Sequence, residues 1–165
     1  MEALDLPRNY QTIIDPSSSF QLVTDMDLAR QALKRFYDHL EPEGILVMAF
    51  MIMWQPGDAK ELDWTMIMEV PHPEDGTVVR RWLKNWINAE KQLEHTEDRY
   101  EIMRDGEVIT SEHHQWSPAT RWYSQDQATQ LYQDAGFTNI HAFNGFTKEQ
   151  VTEADTVFTV LGQKQ

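Results

Sequence analysis

Ten consecutive apolar residues, Ile45 to Trp54 (ILVMAFMIMW), run without a polar break and limit the possible folds more than any other feature. The run is far short of the about 20 residues that cross a bilayer, so it belongs in a protein interior. Ile45, Val47 and Phe50 give its first half strand character, and the turn-like Glu41-Pro42-Glu43-Gly44 leads into it. An unbroken apolar strand of this kind is expected to be buried on both faces, as in parallel sheets covered by helices.

The preceding residues support a parallel arrangement. Tyr10-Gln11-Thr12-Ile13-Ile14 reads as a short strand that ends in the turn cluster Asp15-Pro16-Ser17-Ser18-Ser19. Thr24 is placed to cap a helix, with Asp27 favourable at the positive end of its dipole. Ala29, Ala32, Leu33, Phe36 and Leu40 then recur at helical spacing until Pro42 stops the helix. Strand, helix and strand in this order predict a right-handed βαβ unit.

From about residue 60 to 117 the pattern changes. Trp64–Val70, Thr77–Ile87, Gln92–Met103 and Val108–Trp116 read as strands, although Trp82, Leu83, Trp86 and Ile87 would also suit a helical face. Asp105-Gly106 is a strong hairpin signal. An antiparallel meander is expected here, inserted in a single domain over 1–165. Glu94, Glu97, Asp98, Glu101 and Glu112 are expected on its solvated face rather than around a cation. The end reverts to α/β. Ser124 and Gln127 form a capping-box pattern, Ala128, Leu131, Tyr132 and Ala135 a helical stripe, and Gly136 the C-terminal stop. Phe137–Phe143 and Thr156–Gly162 complete the strands.

With 14 basic and 27 acidic residues, the net charge of −13 disfavours nucleic acid as a partner. The absence of cysteine removes disulfides, thiolate metal sites and cysteine nucleophiles. The start, MEALDLPRNY, lacks the basic and apolar segments of a signal peptide, so a cytoplasmic location is the default. No membrane partner is expected. Glu112-His113-His114 is not a promising metal site, because adjacent strand residues point to opposite faces.

Tyr10–Phe20 (YQTIIDPSSSF), the helix, and Leu40–Val47 (LEPEGILV) together resemble the region around the fourth and fifth strands of class I S-adenosylmethionine-dependent methyltransferases. Arg121-Trp122-Tyr123-Ser124, followed by Ala135-Gly136-Phe137-Thr138-Asn139-Ile140, is similar to the later part of that family, as is the last strand with Asp155 ahead of it. The meander resembles the antiparallel insertion that its small-molecule members carry over the substrate site. The resemblance implies an α/β, partly doubly wound (Rossmann-like) sheet and S-adenosylmethionine as cofactor. Two features depart from the family. Glu43 stands where glycine is usual. No glycine-rich loop is present either, the closest glycines being Gly136 and Gly145. The chain is therefore expected to begin partway through the fold, without the strands that hold most of the cofactor. Tyr10–Ile14 would then be an exposed edge, open to a homo-oligomer or to a chain supplying those strands.

The resemblance places Asp15, Ser17, Ser19 and Phe20 beside the cofactor, although these residues could equally form a plain lead-in to the helix. It places Trp54, Trp116, Arg121 and Tyr123 toward a small-molecule substrate. The alternatives are core closure for Trp54, cross-strand packing for Trp116, as for Tyr100 and His114, and a structural ion pair for Arg121. No catalytic residue is assigned, since methyl transfer depends mainly on alignment and exclusion of water. Two other readings remain open: a non-catalytic remnant acting as an association module, and a β-rich ligand-binding protein built around Trp64–Trp116.

Overall fold

A computed structural model describes residues 1–165. In chain order the elements are β1 (Tyr10–Asp15), a 3-10 turn (Ser19–Leu22), α1 (Met26–Asp38), β2 (Leu40–Met51), β3 (Glu61–Pro71), β4 (Val78–Asn88), β5 (Leu93–Arg104), β6 (Glu107–Arg121), α2 (Gln125–Asp134), β7 (Thr138–Asn144) and β8 (Val157–Gln163). They divide into two compact units, Met1–Met53 with Thr120–Gln165, and Trp54–Ala119.

In the first unit the sheet order is β1-β2-β8-β7. β1 and β2 are parallel across α1, and β8 is antiparallel to both of its neighbours. The βαβ expectation from the sequence is met. Asp25, not Thr24, caps α1, its carboxylate accepting from the Asp27 and Leu28 N–H groups at 2.9 and 3.0 Å. α1 ends at Asp38, well before Pro42, and Leu40 already begins β2. The turn expected at 41–44 is instead an irregularity within β2. Glu43 takes φ 63°, and the pairing with β1 jumps from Tyr10–Leu40 to Thr12–Ile45. The apolar run leaves the strand after Met51 rather than at Trp54.

Both helices pack on one face of this sheet. Ala29, Ala32, Leu33 and Phe36 from α1 join Ala128, Leu131 and Tyr132 from α2 over Leu46, Met48, Phe50, Phe158 and Val160. Each large apolar side chain in this cluster contributes about 1.5–3 kcal/mol by leaving water. The buried Tyr132 hydroxyl donates to the Val160 carbonyl at 2.9 Å, which relieves its desolvation. On the opposite face Ala49 and Thr159 are buried, but Ile45, Val47 and Leu161 are half-buried and Ile14 is 65% exposed. Complete burial of β2 on both faces, expected from its unbroken apolarity, is therefore not found. Alternation still operates, and helices cover only one side. The capping box of α2 is present, with Ser124 Oγ accepting from Gln127 N–H at 3.2 Å and Gln127 Oε1 accepting from Ser124 N–H at 2.8 Å.

The second unit is one antiparallel sheet, β3-β4-β5-β6. Trp82, Leu83, Trp86 and Ile87 all lie in β4, so their helical alternative is excluded. The acidic residues do not gather on one solvated face. Asp98 is buried and its Oδ1 accepts from Arg81 Nε at 2.7 Å. Glu101 accepts from Trp82 Nε1 at 2.8 Å, and Glu97 lies 3.0 Å from His113 Nε2. Strand alternation puts neighbours such as Glu97 and Asp98 on opposite faces, where basic and aromatic partners meet them.

Candidate functional site

The loop after β1 lies at the carboxyl end of the two parallel strands, the side on which open α/β sheets bind ligands. Asp15, the last residue of β1, is buried and its Oδ2 accepts the Phe20 N–H at 2.9 Å. Desolvation of the carboxyl group raises its pKa, and the hydrogen bond from Phe20 partly opposes that rise. Ser17 and Ser18 both adopt left-handed backbone, with φ 57° and 55°. Two successive non-glycine residues in that region store strain of the kind found at ligand-binding loops. Ser17 is exposed, whereas the Ser19 hydroxyl is held by the Pro16 carbonyl. The Phe20 ring is fully buried against Phe50 and Tyr123, at centroid distances of 6.1 and 5.9 Å. Among the four residues expected near the cofactor, Ser17 presents its side chain to solvent, while Asp15 and Phe20 hold the loop from beneath.

Gln21 went unnoticed in the sequence. It is fully buried, and its carboxamide is satisfied on both sides. Nε2 donates to the Met51 and Arg121 carbonyls, each at 2.9 Å, and Oε1 accepts from Met51 N–H at 2.7 Å. A single Gln following an apolar residue gives no sequence signal, because its partners lie 30 and 100 positions away. Arg121 Nε in turn donates to the Thr24 carbonyl at 2.7 Å. The Tyr123 ring is 2% exposed, and its hydroxyl is buried without a hydrogen-bond partner. Burial pushes its pKa up to about 12, with Arg121 and Arg30 pulling in the opposite direction. A shallow hollow of about 200 Å³ lies at the start of α2, lined by Ile52, Ser124, Gln125, Asp126 and Glu153.

Trp54 and Trp116 belong to the second unit. The Trp54 indole N–H donates to the Asp58 carbonyl at 3.1 Å, and Lys60 lies 5.3 Å from its ring centroid. Trp116, 47% exposed, stacks on His114 at 5.5 Å, and His114 meets Tyr100 edge-on at 5.9 Å. His113 turns to the other face, toward Trp64 and Glu97. This unit also holds a cleft of about 590 Å³ lined by Glu61, Leu62, Asp63, Lys84, Asn85, Trp86 and Glu97. Arg99 is sandwiched between the rings of Trp64 and Trp82, at 5.1 and 5.2 Å. No group of three or more histidine, aspartate or glutamate side chains is placed to hold a metal ion, and no helix is long and apolar enough to cross a membrane.

No protein-family model and no curated protein matches the sequence. Solved structures do match in fold. An S-adenosylmethionine-dependent methyltransferase from Clostridium acetobutylicum superposes with a TM-score of 0.74 at 15% identity, covering 99% of this chain and 61% of that one. The sugar N-methyltransferase KedS8 from Streptoalloteichus gives 0.69 at 16% identity, with 99% and 60% covered. The amino pentose methyltransferase CalS10 from Micromonospora echinaspora, solved with S-adenosylmethionine bound, gives 0.64 at 14% identity, with 99% and 62% covered. The chain thus spans about three fifths of the length of the structures it matches. Its two sheets and two helices have the fold of the corresponding part of class I S-adenosylmethionine-dependent methyltransferases.

Proposed function

We propose that this chain is the carboxyl-terminal half of a doubly wound methyltransferase sheet and serves methyl transfer from S-adenosylmethionine to a small molecule. Strands outside residues 1–165 complete the cofactor site along β1. The observation that carries the reading is the loop 15–20 in this fold, strained at two serines and open at Ser17, at the carboxyl end of β1. The residues present fit one wall of a cofactor site. Ser17 offers a free hydroxyl, Ser19 the turn that shapes the loop, and Asp15 and Phe20 its support from below. No glycine-rich loop lies within residues 1–165, so these residues form one part of such a site.

S-adenosylmethionine brings an already activated methyl group, so the protein's share is alignment of the acceptor and exclusion of water. Arg121 and Tyr123 are the proposed substrate-side residues of the first unit. The support for Tyr123 is its unpartnered hydroxyl, a group that buried sites rarely leave unsatisfied without a use. Trp54 and Trp116 take a substrate role by resemblance alone. A cytoplasmic location is part of the same proposal.

A second reading, a non-catalytic association module, is favoured by the edge position of β1. Calorimetric titration of the purified chain with S-adenosylmethionine, alongside its mass in solution, separates the two. Micromolar binding by an assembled species supports the enzyme reading. A folded chain that binds nothing at millimolar ligand supports the association module.

A further inference from the structure

Gln21 is the one polar residue besides Tyr132 among the largest fully buried side chains, and both its amide protons and its carboxamide oxygen make hydrogen bonds. Its oxygen and one amide proton take the N–H and C=O of the single residue Met51, as a neighbouring peptide would. The other amide proton reaches the Arg121 carbonyl. Met51 is the last residue of β2 and Arg121 the last of β6. Gln21 itself stands three residues beyond the second strained serine, in the 3-10 turn whose Phe20 N–H is fixed by Asp15. The loop is therefore fastened at one side to β1 through Asp15, and at the other to the ends of β2 and β6 through Gln21. Arg121 adds a return contact to the Thr24 carbonyl just after the turn.

We propose that Gln21 is a positioning residue that holds the Ser17–Ser19 loop in its strained, ligand-facing form, by clamping the turn behind it to the Met51 peptide and the Arg121 carbonyl. The strain at Ser17 and Ser18 persists only where the surroundings over-determine the backbone. The three Gln21 hydrogen bonds, made out of water, are the contacts that do so on the far side of the loop. This rests on the reading of that loop as a cofactor wall, but its structural content stands apart from it and is tested apart.

The test compares the wild-type chain with Gln21→Leu, close in size but unable to hydrogen-bond, and with Gln21→Glu. Glutamate keeps the acceptor for Met51 N–H but loses both donated bonds. Amide NMR spectra are recorded on each, with S-adenosylmethionine titrated into the same samples. In Gln21→Leu the Ser17, Ser18 and Ser19 amide signals should shift or broaden, and Met51 amide exchange should accelerate at least tenfold. Val160, in the sheet core, should keep its protection. Where the wild-type chain binds S-adenosylmethionine, affinity should fall about tenfold. Gln21→Glu should show the same loop changes with slower Met51 exchange than the leucine variant, which also keeps the test available if Gln21→Leu does not fold. Unchanged serine amides in a folded variant would overturn the proposal. So would an equal loss of protection at Met51 and Val160, since Gln21 would then be a general packing residue. If the wild type binds no S-adenosylmethionine while the serine amides respond as described, the cofactor reading fails and the positioning role stands.

Discussion

The Tyr123 ring packs against Phe20 and Phe50, and its buried hydroxyl has no hydrogen-bond partner, so folding removes it from water without compensation. Tyr123→Phe should raise the unfolding free energy by about 1 kcal/mol in urea titration. In an active assembly, the same change should weaken substrate binding if the hydroxyl serves the substrate. The pH dependence has a definite sign. With the folded pKa raised from 10.0 to about 12, stability is intact below pH 10. It falls as pH climbs toward 12, because the unfolded chain releases the proton first. A wild-type curve that declines over that window while the phenylalanine variant stays flatter would verify this. Fluorescence-detected unfolding at several alkaline pH values is the measurement.

Among the elements, β8 shows how a missing side chain can matter more than one that is present. A Cβ on Gly162 would stand 2.5 Å from Tyr132 Cδ1 and 3.1 Å from Phe137 Cβ, so α2 and the segment after it rest directly on the glycine backbone. Gly162→Ala should destabilise by about 1–3 kcal/mol through overpacking, read as a lowered urea midpoint with unchanged slope. In the second sheet, Arg81→Met leaves the Asp98 carboxylate buried without its 2.7 Å partner. A loss of about 3 kcal/mol is expected from the same titration. The elements were largely legible in the sequence because their signals are local: the Ser124–Gln127 capping box, Gly136 after α2, and the apolar run of β2. The pairings were not. Which acid meets Arg81, and what Gln21 grips, depend on register across strands and on residues far away in the chain. The coverage of β2 is not legible either, because an unbroken apolar run says nothing of which layers are there to cover it.

At the scale of the molecule, the first sheet ends in β1, paired only with β2, and Ile14 within β1 is exposed. If that edge joins copies of the chain, wild type should show more than the monomer mass of 19.4 kDa in light scattering. Ile14→Lys should return it to the monomer without altering the circular dichroism. Because each copy carries −13, added salt should strengthen the assembly by screening. A monomeric wild type at all salt concentrations would argue against an edge-to-edge dimer. The β3–β6 sheet has a different thermodynamic character. Its outer strands β3 and β6 are largely exposed and β4 and β5 are half-buried, and Thr77, Asp98 and Met103 are the few buried residues of this unit. Its order rests on backbone ladders and on polar and cation–aromatic pairs rather than on apolar area withdrawn from water. The heat-capacity increment of unfolding follows apolar exposure and is lowered by polar exposure. Residues 54–119 are therefore expected to add less than their share to that increment, and calorimetric unfolding should show a smaller heat-capacity change than a helix-covered chain of this length.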